Sequence, residues 1–153
     1  SLSKRSNLPG LRSGFAASGE KNIRQMKQLR AYSGAPIPEP LQHVSASVWD
    51  DENHVIQNRE IYKKKYKFAD KIFNGFDGYF SPEAGFFLWL DVDNGEKTAL
   101  ELWQTFGVRV LPGKYLAKDL NGQSPGDRFI RVAMVSELEE TKEGLKKIRE
   151  FLD

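Results

Sequence analysis

The stretch SLSKRSNLPGLRSGF, residues 1–15, decides the reading of this chain. It lacks the apolar core of a secretory leader, and Pro9 and Gly10 break any amphipathic presequence helix. It reads as the middle of a longer architecture. Its chemistry centres on Lys4. A lysine between Ser3 and Arg5 is ordinarily a surface cation. Arg5 and Arg12, if they shared a site with it, would favour its neutral, nucleophilic amine. Ser1, Ser3 and Arg12 supply hydroxyls and a forked guanidinium, which together suit a phosphate.

The bulk numbers bound what such a site can belong to. The chain has 153 residues, 39% of them hydrophobic, enough for one moderate core or one core plus a fragment of another. It contains no cysteine, which excludes a disulfide framework and a thiolate zinc site, and no metal is expected. No apolar run approaches the roughly 20 residues that cross a bilayer, so a soluble cytoplasmic protein without a membrane partner is expected. The net charge of +2 is small but unevenly spread. Lys4, Arg5, Arg12, Lys21, Arg24, Lys27 and Arg30 face Glu20 alone in the first 30 residues, which calls for a local anion.

Along the chain, residues 11–17 (LRSGFAA) read as a short strand between turn signals. A basic helix is expected from Glu20 to about Ala31. The loop YSGAPIPEP follows, and a helix resumes near Leu41 and runs to Trp49. Asp50 and Asp51 suit the cap of a long helix reaching about Phe73. Val55, Tyr62, Tyr66, Ala69 and Phe73 form its apolar face, and Lys63, Lys64 and Lys65 read as a solvated face. GFFLWLDV reads as a buried strand and EKTALELWQTF as a helix stopped by Gly107. VRVLPG and FIRVAMV read as two further strands. A last helix opens on a capping box, Ser136 and Glu139, and buries Leu138, Leu145, Ile148 and Leu152. From about residue 50 onward these elements make a compact α+β unit. Residues 1–49 are too few elements to close a core, so they are expected to belong to a larger domain.

A nucleophilic amine beside a phosphate cradle is what a lysine needs to hold pyridoxal 5'-phosphate as a Schiff base. The whole string resembles the signature of the class I/II (fold type I) pyridoxal-phosphate-dependent aminotransferases: S-x-S-K, a short loop, then G-x-R-x-G. The resemblance implies that Lys4 carries the cofactor and shuttles the substrate proton. It implies that Ser1 and Arg12 bind the cofactor phosphate, with Ser3 as the hydroxyl beside the lysine. The segment LRAYSGAPIPEPLQHVSASVWDDENHV resembles a loop and helix that cross the family's dimer interface, where Tyr32 or Ser33 would reach the partner subunit. His43 and His54 read as ordinary helix residues.

Arg131 is the second informative residue. In FIRVAMV it shares a strand face with Phe129, Ala133 and Val135, and a guanidinium among apolar neighbours needs an anion. That anion is either a nearby carboxylate in a structural salt bridge or, as the resemblance implies, the substrate α-carboxylate. Arg128 competes for the same role.

The resemblance implies an α/β fold type I architecture. Residues 1–49 would be the end of the large cofactor domain, and 50–153 the small C-terminal α+β domain with its long connecting helix. The chain would correspond to about the last two-fifths of an aminotransferase and be inactive alone. Its wording is most similar to the succinyldiaminopimelate transaminases of bacterial lysine synthesis. That implies amino transfer between N-succinyl-diaminopimelate and 2-oxoglutarate/glutamate in a homodimer. Related chains act on aspartate, alanine or aromatic amino acids, or as C–S lyases. A different class of reading, a non-catalytic basic module binding nucleic acid through its N-terminal third and YKKKYK, lacks any recognised motif.

Overall fold

The computed structural model describes residues 1–34 and 36–153; Ala35, inside the expected loop, lies outside the described residues. The chain divides into two compact units, Ser1–Arg59 and Glu60–Asp153.

The first unit is helical. It holds α1 (Leu2–Arg5), a 3-10 turn at Pro9–Leu11, α2 (Glu20–Tyr32), α3 (Glu39–Asp50) and the start of α4 (Asn53–Ile72). The expected strand over residues 11–17 is not formed: residues 12–19 have no regular structure. A strand exists only in a ladder, and among the described residues this unit offers no partner strand. The segment bonds locally instead, the Leu2 N–H donating to Ser13 O at 3.1 Å. Phe15 meets Trp49 edge-on, centroids 5.0 Å apart. Leu2 and Val55 are the buried apolar side chains of this unit, whereas α2 buries none and exposes Met26 and Leu29. The α3 helix starts at Glu39, two residues earlier than expected, with Pro40 in its first turn, where a missing N–H costs nothing. Asp51 accepts from the Asn53 N–H at 2.8 Å, so the cap-type aspartate does serve the start of α4.

The second unit places helices on one face of a small antiparallel sheet. Its elements are the rest of α4, β1 (Phe87–Asp91), α5 (Gly95–Phe106), β2 (Leu111–Pro112), β3 (Phe129–Ala133) and α6 (Leu138–Leu152). The strand order is β1-β3-β2. Trp89 and Leu111 both lie opposite Arg131. Period-two alternation sends Leu88, Leu90, Ile130 and Val132 into a core shared with Ala69, Phe73, Leu102, Met134, Leu145 and Ile148. Strand β1 is thus buried on one face only. Gly107 ends α5 in the left-handed conformation (φ 68°), which glycine adopts without a Cβ clash. The other end is capped by Asn94, which accepts from the Lys97 N–H at 3.0 Å.

Two expectations fail here. Lys65 is not solvated: it is 3% exposed. Its Nζ donates to Met134 O at 2.7 Å and Ser136 O at 2.5 Å. Three consecutive helical residues span about 200° of the surface, so one of them can point inward, and Lys65 falls on the apolar stripe with Tyr62 and Ala69. The capping box at Ser136 is also not made. The N-cap of α6 is Glu137, with no side-chain cap bond. The Ser136 carbonyl instead accepts from Lys65 and from Thr141 Oγ1. Leu138 is accordingly only half-buried.

Candidate active site

The turn that carries Lys4 is built from its own backbone. Ser1 is the N-cap of α1 and Lys4 lies three residues on, so the two share one side of the helical turn. Ser6 closes that turn, its N–H donating to Leu2 O at 3.1 Å. The chain then reverses through Pro9–Leu11, and Arg12 sits in the left-handed region (φ 54°). The reversal brings residues 12–14 back against Ser1. A Cβ on Gly14 would stand 2.9 Å from Ser1 Cβ, so only glycine fits there without displacing the serine. Ser1, Lys4 and Arg12 are exposed, and Ser3 is half-buried. One Arg12 nitrogen donates to Pro9 O at 2.9 Å. The rest of its fork has no other bond to the described residues. Hydroxyl, guanidinium and a side-chain-free backbone on one surface suit a phosphate.

Arg5 is used differently. Its guanidinium donates to Val48 O at 3.0 Å, Trp49 O at 3.2 Å and Ser6 Oγ at 3.2 Å, pairs with Glu52, and stacks 4.9 Å from the Trp49 ring. It closes the carbonyl end of α3, which would otherwise lack partners.

Arg131 lies in the second unit, on the sheet face opposite the helices. It projects beside Trp89 and Phe129, whose rings stack at 5.2 Å, and its Cζ lies 4.3 Å from the Phe87 ring. Among the described residues no carboxylate comes within 4.0 Å of it. The structural salt bridge considered from sequence is therefore not made. Arg128, its competitor, is engaged: Nε donates to both Asp91 oxygens at 3.1 Å, and Nη1 lies 3.5 Å from Asp93. Arg128 holds its proton more firmly than an ordinary arginine, first through the Asp91 hydrogen bond and then through that charge.

Tyr32 is 86% exposed at the end of α2, while the Ser33 hydroxyl donates to Leu29 O at 2.8 Å. His43 is a surface residue of α3, 3.7 Å from Glu39. His54, set aside from sequence, is not a bystander. Its Nδ1 lies 2.8 Å from Asp51 Oδ2 and its Nε2 2.9 Å from Ser6 Oγ. That hydrogen bond, with the Asn53 N–H, holds the Asp51 carboxyl below the usual range. The partners lie 48 residues apart, so no local pattern announces them.

A family model described as Aminotransferase class I and II matches residues 1–148. The chain is 27% identical over 137 residues to a 4-dedimethylamino-4-oxo-anhydrotetracycline transaminase of Streptomyces rimosus, covering 89% of this chain and 36% of that protein. It is 26% identical over 156 residues to an LL-diaminopimelate aminotransferase of Dehalococcoides mccartyi, covering 99% of this chain and 39% of that protein. A solved aminotransferase from Neisseria meningitidis is 36% identical, with a TM-score of 0.93 over 100% of this chain and 39% of that one. The chain thus spans under two-fifths of the length of the curated relatives named here. It belongs to the class I and II aminotransferase family, whose members use pyridoxal phosphate, and it folds as the corresponding part of a fold type I aminotransferase.

Proposed function

We propose that this chain is the lysine-bearing C-terminal part of a pyridoxal-phosphate-dependent aminotransferase, exchanging an amino group between an amino acid and 2-oxoglutarate/glutamate. Residues 1–49 would complete the large domain and 50–153 the small one, in a cytoplasmic homodimer. The observation that carries the reading is the N-terminal turn, in which Ser1 caps the helix that bears Lys4 and Gly14, two residues after Arg12, packs against Ser1. Family membership favours this over a basic nucleic-acid-binding module.

In this reading Ser1 and Arg12 would grip the cofactor phosphate, with the Ser3 hydroxyl as a further cofactor contact. The bound cofactor supplies an electron sink for charge released at the substrate carbon. Lys4 Nζ would hold the cofactor and, once displaced by the substrate amine, would take the proton from the substrate Cα. Arg131 binds the substrate α-carboxylate through two parallel N–H donors and so orients the Cα–H bond. That no carboxylate among the described residues pairs with Arg131, set against the engagement of Arg128, supports that choice. N-succinyl-diaminopimelate is the amino donor we favour from the wording of the signature. The diaminopimelate aminotransferases among the relatives support a donor with that carbon skeleton. Borohydride reduction of the full-length protein with bound cofactor, followed by peptide mapping, tests the core of the proposal. The pyridoxyl group is expected on Lys4, and a label on a different lysine would refute it. Comparing turnover of N-succinyl-diaminopimelate, LL-diaminopimelate, aspartate and an aromatic amino acid decides the substrate.

A further inference from the structure

We infer that Asp51, His54 and Ser6 form a hydrogen-bond relay that fixes the Lys4 turn, making His54 a positioning residue for that lysine. The inference rests on the proposed role of Lys4. It starts from the two residues that follow Lys4, both held by the corner between α3 and α4. Arg5 reaches Val48 O, Trp49 O and Glu52; Ser6 reaches His54. Lys4 is exposed while the two residues that follow it are anchored.

The directions at Arg5 and Asp51 follow from the groups. A guanidinium only donates, so Ser6 Oγ accepts from Arg5 at 3.2 Å. The Asp51 carboxylate accepts from His54 Nδ1–H at 2.8 Å and from the Asn53 N–H at 2.8 Å. In the Nδ1–H tautomer of the neutral imidazole, Nε2 accepts from the Ser6 hydroxyl, 2.9 Å away. In that tautomer the chain of bonds polarises in one sense. Ser6 Oγ belongs to a residue only 7% exposed, so its bonds are not traded freely with water.

The loop between Lys4 and Arg12 needs such a constraint. Asn7 (φ 53°) and Arg12 (φ 54°) both hold the left-handed conformation, which costs a non-glycine residue about 1 kcal/mol or more and persists where surroundings over-determine it. Asn7 directly follows Ser6, so the relay fixes the residue from which this unfavourable turn departs. The order serine, histidine, aspartate is also that of an activated nucleophile. Here the serine oxygen is buried and already accepts a guanidinium N–H, which suits a tether.

The test uses the full-length enzyme with pyridoxal phosphate. Borohydride mapping of the wild type comes first; a label away from Lys4 overturns the role of Lys4, and the relay with it. With the label on Lys4, Ser6→Ala, His54→Asn and His54→Gln are compared by cofactor dissociation constant, by the pH midpoint of the visible cofactor band, and by melting temperature. Glutamine keeps a polar atom at the reach of Nε2, asparagine only at that of Nδ1. Ser6→Ala and His54→Asn are expected to weaken cofactor binding about tenfold and to move the midpoint, while His54→Gln restores much of both. A merely structural network would lower the melting temperature and leave the other two readouts at wild-type values. That outcome overturns the inference even with the label on Lys4. Ser6→Ala removes one hydroxyl and almost no packing, so it keeps the test decisive if the histidine variants fold poorly.

Discussion

Replacing Arg131 with lysine separates charge from geometry. The ammonium of a lysine keeps the positive charge above Phe87, where the guanidinium carbon now lies 4.3 Å from the ring, but it cannot present two parallel donors. If the fork binds a substrate α-carboxylate, losing one charged hydrogen bond removes about 1.5–3 kcal/mol, or about 10- to 150-fold in kcat/KM. The stability side is small. A cation–π contact of this kind contributes about 0.5–1 kcal/mol and is largely kept by lysine. The 3–5 kcal/mol expected of a broken buried ion pair does not arise, because no described carboxylate lies within 4.0 Å of Arg131. Steady-state kinetics and a thermal melt of the same full-length variant therefore give opposite signatures for the two roles. An amino donor lacking the α-carboxylate adds a control: wild type and variant should turn it over at similar, low rates. A loss of several kcal/mol of stability in the melt, with near-normal kcat/KM in the folded enzyme, would refute the clamp. The substrate carboxylate would then have to be sought at Arg128, in competition with Asp91 and Asp93.

Three further outcomes are expected. Arg12→Ala should weaken cofactor binding by about 10- to 150-fold, through loss of a charged hydrogen bond, while substrate KM at saturating cofactor changes less; equilibrium dialysis and kinetics check this. Gly14→Val should also weaken the cofactor, because a Cβ 2.9 Å from that of Ser1 must push the serine away; unchanged affinity would remove Ser1 from the cradle. Lys65→Met keeps the buried stem but takes the lysine donor from the Met134 carbonyl and leaves Ser136 O with Thr141 alone, which should cost roughly 1–3 kcal/mol, read by hydrogen exchange at the start of α6. Burial holds the Lys65 pKa below its ordinary value of 10.5. The unfolded chain therefore binds that proton more tightly, and the Lys65 contribution to stability should rise with pH as it approaches 10.5 from below. The methionine variant should lose that slope.

What the sequence made legible was whatever depends on near neighbours. The α2 and α5 helices, the stop at Gly107, the apolar face of α4 and the lysine turn are each encoded within about a dozen residues. The misreadings share a cause. Residues 11–17 have strand composition, but whether they pair depends on what lies beside them. Ser136 and Glu139 match a capping box, yet a lysine 71 residues earlier takes the Ser136 carbonyl. Lys65 was recoverable, since positions 62, 65 and 69 recur at helical spacing; the run of three lysines masked it. Asp51 and His54 stand at a local spacing of three, but their connection to Ser6, 48 residues from His54, had no local trace. For Arg131, the strand pattern predicted an apolar setting and a needed anion, while only the coordinates could exclude a neighbouring carboxylate.

The three lysines of α4 also carry an internal chemical standard. An amine is acylated only when its nitrogen is deprotonated and reachable. Lys63 and Lys64 meet the second condition from solvent, with Lys63 merely paired to Glu60, whereas Lys65 is enclosed with both carbonyl partners in place. A brief pulse of an acylating reagent should therefore mark the first two and spare the third. One tryptic map of this helix would then hold a reference and a reporter side by side. The fraction of Lys65 that becomes marked over time measures how often the join between β3 and α6 opens, in a protein that has no cysteine to probe.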